Sequence, residues 1–389
     1  MSQETRSISF IDSCQEEMIA LWRCFVNQES SSSDKVGIDR LQQDIGRLLE
    51  SMGAQVRLIK FPAAGAMLVG ELAGGSKKPV VFSGHIDTVF PPGEATKRPF
   101  RIDDGKAYGP GVLDMKGGVV VFLYAIKALQ AIGFQERPIK ILLAGDEEPG
   151  HPNSNVPDLF VTEAAGCAAA FNCESGFVDN GIVVGRKAVG YFTIEVQGVA
   201  CHYGNDPENG RSAIRELSHK VIALEELSDP SKGISVNVGL ISGGTVCNAA
   251  PTHAQASIDL RCVDEQDMPV MIEKLQILAN KQYIAGTKTT ITGYFPYPPM
   301  KTTESIQELF LLIKDLSKEY GLPEPYTKFC GGGADSAHLV KAGIPTLCGM
   351  GVKGGRNHSQ DEFALVESLT ERAKLLALAV LNLDRFTQV

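Results

Sequence analysis

Residues 80–90 read VVFSGHIDTVF: the apolar run Val80–Phe82 is followed by a histidine and a carboxylate two places apart, His85 and Asp87. Val80 and Phe82 point one way in a strand and Val81 the other, so both faces of the run need a dry neighbour. His85 and Asp87 share a face if the chain stays extended. Taken alone they are ordinary residues, a packed histidine at a strand rim and a turn-forming aspartate. The rest of the chain gives them a different meaning.

Around this run, strand-like and helix-like segments alternate. Apolar spacing predicts helices from Met18, Leu21, Trp22 and Phe25, preceded by a capping box at Ser13–Glu16, and from Gly37 to Met52, closed by Gly53. Further helices are expected at Gly118–Ala131 and Leu365–Asp384. Strands are expected at Gln55–Lys60, Met67–Leu72, Val80–Ser83, Ile139–Ala144 and Ala168–Asn172, and within IPTLCGMG (344–351). This alternation predicts an α/β domain with a mostly parallel central sheet. The middle of the chain differs. Strand Gly190–Gln197, helix Arg211–Leu227, strands Ile234–Ile241 and Ala254–Cys262, helix Met268–Lys281 and strand Lys288–Phe295 give the order βαββαβ, a ferredoxin-like α+β unit. The expected organisation is therefore a host domain, 1–186 and 297–389, interrupted by an inserted domain, 187–296.

The 389 residues are 43% hydrophobic, enough for two cores, and the net charge of −9 argues against a nucleic-acid or anionic-membrane partner. No apolar run approaches a membrane span, the opening MSQETRSISF lacks the apolar centre of a signal peptide, and nine cysteines without a CxxC pair read as reduced thiols. The expectation is a soluble cytoplasmic protein. ESSSSD (29–34) reads as a loop.

The acids and histidines cluster by position. His85 and Asp87 follow one predicted strand, Asp146, Glu147 and Glu148 a second, Glu174 a third, and His358 and Glu362 a fourth; Asp114 lies in the glycine-rich GPGVLDMKGG (109–118). Ligands of open α/β sheets bind beyond the carboxyl ends of the strands, which is where these residues fall. Several carboxylates with no partner cation would raise one another's pKa; a divalent metal removes that conflict, and zinc-type ions accept imidazole and carboxylate alike. The stock is too rich for one catalytic zinc and suits two metals bridged by a carboxylate. These residues leave open which acid bridges and which is the base.

SGHIDTVF, YGPGVLDMKGG, GDEEPG, NCESG and RNHSQDE resemble the signature blocks of the dinuclear zinc peptidases and aminoacylases. That family includes carboxypeptidase G, aminoacylase, acetylornithine deacetylase and succinyl-diaminopimelate desuccinylase. The resemblance runs from about residue 10 to the end and takes in the inserted domain. It implies two zinc ions per chain, with cobalt or manganese as substitutes. His85 and Glu174 would hold one, Glu148 and His358 the other, with Asp114 bridging, Glu147 as general base and Asp87 orienting His85. Glu362 would do similar supporting work. GVACHYGNDPENGRSAI (198–214) resembles the block whose histidine reaches the active site of the partner subunit in a homodimer, so His202 becomes an oxyanion stabiliser; Tyr203 departs from the small residue usual there. Asn248 and Arg261 match positions that hold a substrate carboxylate, and Gly332 and Gly333 in CGGGADSAHL offer backbone amides to an anion. The activity implied is hydrolysis of a short peptide or N-acyl amino acid with a free α-carboxylate, carboxypeptidase G-like. The alternatives are an N-acyl-amino-acid deacylase and, from another class, a metal-bearing binding protein without turnover.

Overall fold

The computed structural model describes residues 1–386. They form two compact units: Met1–Gly185, Thr302–Phe329 and Ala334 onward in the first, Arg186–Lys301 with Cys330–Gly333 in the second.

The first unit is built on an eight-stranded sheet in the order Gln55–Ile59, Met67–Leu72, Ile139–Ala144, Val80–His85, Ala169–Asn172, Thr346–Cys348, Gly181–Arg186, Tyr326–Cys330. Its centre is parallel: Val80–His85 runs beside Ile139–Ala144 on one side and Ala169–Asn172 on the other, and the latter beside Thr346–Cys348. The flanks are antiparallel, at Gln55–Ile59 with Met67–Leu72, Met67–Leu72 with Ile139–Ala144, and Thr346–Cys348 with Gly181–Arg186. The expected mostly parallel sheet therefore holds for its four central strands only. The short stretch between the first two strands cannot make the crossover of a dozen or more residues that parallel pairing needs.

All six residues of Val80–His85 are buried, as its two apolar faces require. Phe82 stacks on Phe122 at 6.1 Å, from the helix Lys116–Ala131, and lies 6.2 Å from Phe171. That helix is buried nearly all round and packs against the helices Gln3–Ser13, Gln15–Val26 and Glu367–Leu381. The Ser13–Glu16 capping box is not formed. Ser13 is the last residue of Gln3–Ser13 and donates its hydroxyl to the Phe10 carbonyl, while Cys14 alone separates the two helices and makes no side-chain cap. A second, five-stranded sheet of two- and three-residue strands joins Arg101–Asp103, Lys106–Tyr108, Phe363–Leu365, Lys353–Gly355 and Gly176–Phe177.

The second unit is a four-stranded antiparallel sheet, Ser235–Gly243, His253–Cys262, Ala188–Gln197, Lys288–Tyr297, with helices Ala213–Glu225 and Asp267–Asn280. Along His253–Cys262 the residues Ala254, Ala256, Ile258, Leu260 and Cys262 alternate inward and join Leu217, Leu224, Met271 and Leu275 in one apolar core. The chain order is βαββαβ.

Candidate metal centre

Four loops at the carboxyl ends of the central strands deliver the acidic and imidazole side chains to one place in the first unit. His85 is the last residue of its strand and is 1% exposed. Its Nε2 lies 3.4 Å from Asp114 Oδ1, 3.4 Å from Glu174 Oε1 and 3.9 Å from Glu147 Oε2. His358, half-exposed and in the left-handed region at φ +61°, places Nε2 3.4 Å from Asp114 Oδ2 and 3.3 Å from Glu148 Oε2. Two triads result, His85–Asp114–Glu174 and Asp114–Glu148–His358, and Asp114 gives one oxygen to each.

These separations are informative. An N–H···O hydrogen bond spans 2.7–3.2 Å, shorter than any of the four triad contacts. Donor atoms at tetrahedral corners about 2.0–2.1 Å from a zinc-sized ion stand about 3.3–3.4 Å apart, which is what the four contacts measure. Glu148 Oε1 is buried without a hydrogen-bond partner, as a donor reserved for a cation would be. The residues fit a pair of divalent ions.

The electrostatics agree. Burial would push the His85 imidazole down, but Glu174, Glu147 and Asp114 override it and hold its pKa well above the ordinary range. Burial would raise Asp114, yet its contacts with His358 and His85 keep it well below the carboxylate range. Glu147 is driven well above that range by burial, with Glu174, Asp335 and Glu148 adding to the effect and His85 opposing it. His358 is lifted to about 11 by Asp114 and Glu148.

The supporting contacts hold backbone as much as side chain. Asp87 is wholly buried; its backbone carbonyl lies 3.0 Å from His85 Nδ1 and its Oδ1 3.4 Å away. Its carboxylate accepts from the amides of Glu147 and Glu148, both at 3.1 Å, and from Ser32 Oγ at 2.8 Å. Asp87 thus grips the turn that carries both glutamates, besides facing His85. Glu362 Oε1 accepts from the amides of Leu113 and Asp114 at 2.8 and 3.1 Å, so it fixes Asp114 rather than its helical-spaced neighbour His358. Asn357 Nδ2 donates to Asp114 Oδ2 at 2.9 Å. Gly118 lets the helix that follows Asp114 approach the strand end before Glu174: a Cβ there would lie 1.9 Å from the Cys173 carbonyl oxygen.

Ser32 and Asn357 were not anticipated. Ser32 lies in the loop ESSSSD, which is stitched to the strand end by Ser32 N–H to Thr88 O at 3.0 Å and Thr88 N–H to Ser30 O at 2.9 Å. Nothing in a run of serines announces a partner more than fifty positions away. Asn357, one place before His358, was within reach of the motif.

His202, Asn248, Arg261, Gly332 and Gly333 belong to the second unit. His202 and Asn248 are exposed and adjacent, joined by an isolated bridge from His202 to Ala249 and by Tyr203 N–H to Asn248 O at 3.0 Å. Arg261 is held in a fork by Asp259, Nε to Oδ1 at 2.6 Å and Nη2 to Oδ2 at 2.9 Å, and Nη1 donates to Gly331 O at 3.2 Å. Arg186 Nη1 donates to the carbonyls of Gly332 and Gly333 at 3.0 and 3.3 Å.

Among the described residues no helix is long and apolar enough to cross a membrane. A carboxypeptidase G2 of Pseudomonas sp. (strain RS-16) is 28% identical over 364 residues, covering 92% of this chain and 87% of that protein. A succinyl-diaminopimelate desuccinylase of Methylocella silvestris is 27% identical over 326 residues, 78% of this chain and 82% of the enzyme. An M20 family metallo-carboxypeptidase from Sulfolobus solfataricus shares the fold, with a TM-score of 0.78 at 20% identity over 94% of this chain and 98% of that one. Residues 81–382 match the sequence profile of peptidase family M20/M25/M40, and with most of its length inside that profile the chain belongs to this family of metal-binding hydrolases.

Proposed function

We propose that the chain is a two-metal carboxypeptidase of the carboxypeptidase G type. It would cut the amide bond of a short peptide or N-acyl amino acid that keeps a free α-carboxylate. The observation that carries this reading is the pair of triads sharing Asp114, with Glu147 beside them and outside both. His85 and Glu174 would hold one ion and Glu148 and His358 the other, with Asp114 shared between them. The donor set suits zinc, with cobalt or manganese as substitutes. Bound, the ions supply Lewis acidity toward the amide carbonyl and toward water.

The chain's own groups do the rest. Glu147, whose burial raises its proton affinity, accepts a proton at a carboxylate oxygen as water adds to the carbonyl carbon. It returns that proton to the leaving nitrogen as the C–N bond breaks. Asp87 keeps the Glu147–Glu148 turn in place through the two amides it binds. His202 stabilises the oxyanion, contributed across a homodimer by the inserted unit, with Asn248 next to it. Arg261 anchors the substrate's α-carboxylate; the grip of Asp259 on its Nε edge fixes the direction of the fork. Gly332 and Gly333, next in sequence to the Gly331 carbonyl that Arg261 meets, would offer backbone amides to the same anion. Nine free thiols and no disulfide among the described residues accord with a reducing, cytoplasmic setting.

The similarity to a desuccinylase supports a second reading, an N-acyl-amino-acid deacylase. Both are tested by one panel. Metal-reconstituted protein is offered dipeptides, N-acyl-glutamates, N-succinyl and N-acetyl amino acids, each beside its C-terminal amide. Preference for free carboxylates by about 2–5 kcal/mol in kcat/KM supports the anchored reading. Equal turnover of acids and amides removes it, and release of only the short acyl groups turns the assignment to the deacylase.

A further inference from the structure

Glu147 and Glu148 sit in a turn, not in a helix or strand. It closes on itself through Gly150 N–H to Glu147 O at 2.7 Å and His151 N–H to Asp146 O at 3.1 Å. His151 completes the turn at φ +57° with its ring 1% exposed. Its Nδ1 lies 3.0 Å from Asp146 Oδ1 and its Nε2 2.8 Å from Asp335 Oδ1. Asp335, itself buried, stands at the start of the helix Ser336–Lys341. Only an imidazolium donates from both ring nitrogens to two carboxylates at once. The two acids also override burial and hold the His151 pKa at about 10.

His151, Asp335 and His338 are close enough to suggest a further metal cluster. The distances separate the two cases. The four imidazole–carboxylate contacts of the metal triads measure 3.3–3.4 Å, whereas here one contact is a 2.8 Å hydrogen bond and His338 Nε2 lies 3.9 Å from Asp335 Oδ1. Burial moreover pulls His338 down to about 4, which leaves it neutral. These distances fit hydrogen bonds from His151 to its two acids rather than a metal-bridged cluster.

We infer that His151 is a positioning residue, a buried cationic strut that ties Asp146, directly before Glu147 and Glu148, to Asp335 across the fold. The inference rests on the reading of Glu147 as base for its effect on catalysis, but not for its effect on the turn. Without the strut the turn keeps its backbone bonds and the grip of Asp87 but loses its tie to Asp335, and with it part of the fixed aim of Glu147.

The test compares His151→Asn, Asp335→Ala, Asp335→Asn and the double variant His151→Asn/Asp335→Ala with wild type. Asparagine tolerates the left-handed backbone and can still reach Asp146, but not Asp335. Asp335→Asn keeps an oxygen that can accept from Nε2. Amide hydrogen exchange in the segment 145–151 should quicken roughly tenfold or more in His151→Asn and Asp335→Ala, in metal-free and metal-loaded protein, and little elsewhere. In zinc-loaded protein kcat should fall by roughly tenfold or more while KM stays within about twofold and metal content is unchanged. The double variant should be no worse than either single, and Asp335→Asn should recover most of kcat. Unchanged exchange at 145–151, exchange that quickens uniformly along the chain, or additive losses in the double variant would overturn the strut. Should wild type hydrolyse nothing in the panel while the exchange pattern appears, the strut stands and the catalytic reading fails. If His151→Asn does not fold, the two Asp335 variants decide by the same comparison.

Discussion

Replacing Asp87 by asparagine changes no shape and removes one charge at the wholly buried centre of the site. The carboxylate uses both oxygens: Oδ1 accepts from Glu147 N–H, Oδ2 from Glu148 N–H and Ser32 Oγ–H. An asparagine amide accepts at one position only and presents its own N–H₂ at the other. Whichever way it is turned, at least one buried backbone N–H loses its acceptor, which costs about 1–3 kcal/mol, and the surviving bonds lose their charge assistance. We expect the metal-free protein to be less stable by about 2–4 kcal/mol, or roughly 5–10 °C in Tm for a unit of this size. Displacing the Glu147–Glu148 turn should also weaken metal binding or activity by about 10–100-fold, as loss of outer partners does elsewhere. The pH dependence has a definite sign. Burial would raise Asp87, but His85, Ser32 and the Glu147 amide bring its folded pKa below the unfolded value. Its contribution is therefore present above the unfolded pKa of about 3.9 and is lost as pH falls through the lower folded one. Calorimetry of the metal-free variant and a competitive chelator titration measure the two effects. A Tm within about 1 °C of wild type and metal affinity within about twofold would refute this account.

Elemental analysis should find about two zinc-type ions per chain, and a chelator should abolish hydrolysis reversibly. Glu147→Gln should keep its metal while kcat falls by roughly 10²–10⁴, whereas His85→Ala should lose metal and activity together; metal loss in the former would mean the roles of Glu147 and Glu148 are exchanged. Gly118→Ala, despite its better helix propensity, should destabilise by about 1–3 kcal/mol in denaturant unfolding because its methyl meets the Cys173 carbonyl, and a stabilised variant would contradict that packing. Mixed His202→Ala and Glu147→Gln chains should regain part of the activity through hybrid dimers, and no recovery after verified subunit exchange would return His202 to its own chain or to no role.

Much of this architecture is written in local pattern. Met67–Leu72 and Ile139–Ala144 occur where β-branched and aliphatic runs place them, and the βαββαβ order of the second unit emerges from alternation along strands such as His253–Cys262. Long elements with one apolar face carry their own signal. The helix Gln3–Ser13 does not: its buried residues are Ser7 and Ile11, too few for a periodic stripe, so local spacing predicts no helix there and makes Ser13 the cap of the next one, whereas Ser13 ends the first helix. The five-stranded sheet escaped for a similar reason, since strands of two or three residues are shorter than one alternation. Sidedness at the site followed from strand ends, but the grips did not. That Asp87 binds the amides of Glu147 and Glu148, or that His151 reaches Asp335, depends on pairings some sixty and more than a hundred and eighty positions apart, which no local spacing encodes.

The strand Thr346–Cys348 pairs with Ala169–Asn172, and His358 follows it. During synthesis the growing chain thus offers Ala169–Asn172 as an apolar strand with one neighbour missing. Roughly 180 residues, about 10–40 s at ordinary elongation rates, pass between Glu174 and His358. In that interval His85, Asp114 and Glu174 can already meet, while the other triad lacks its imidazole. On the proposed two-ion reading the sites should therefore load in sequence, and a chain halted before Thr346 should expose its open strand edge to aggregation and retain at most one ion.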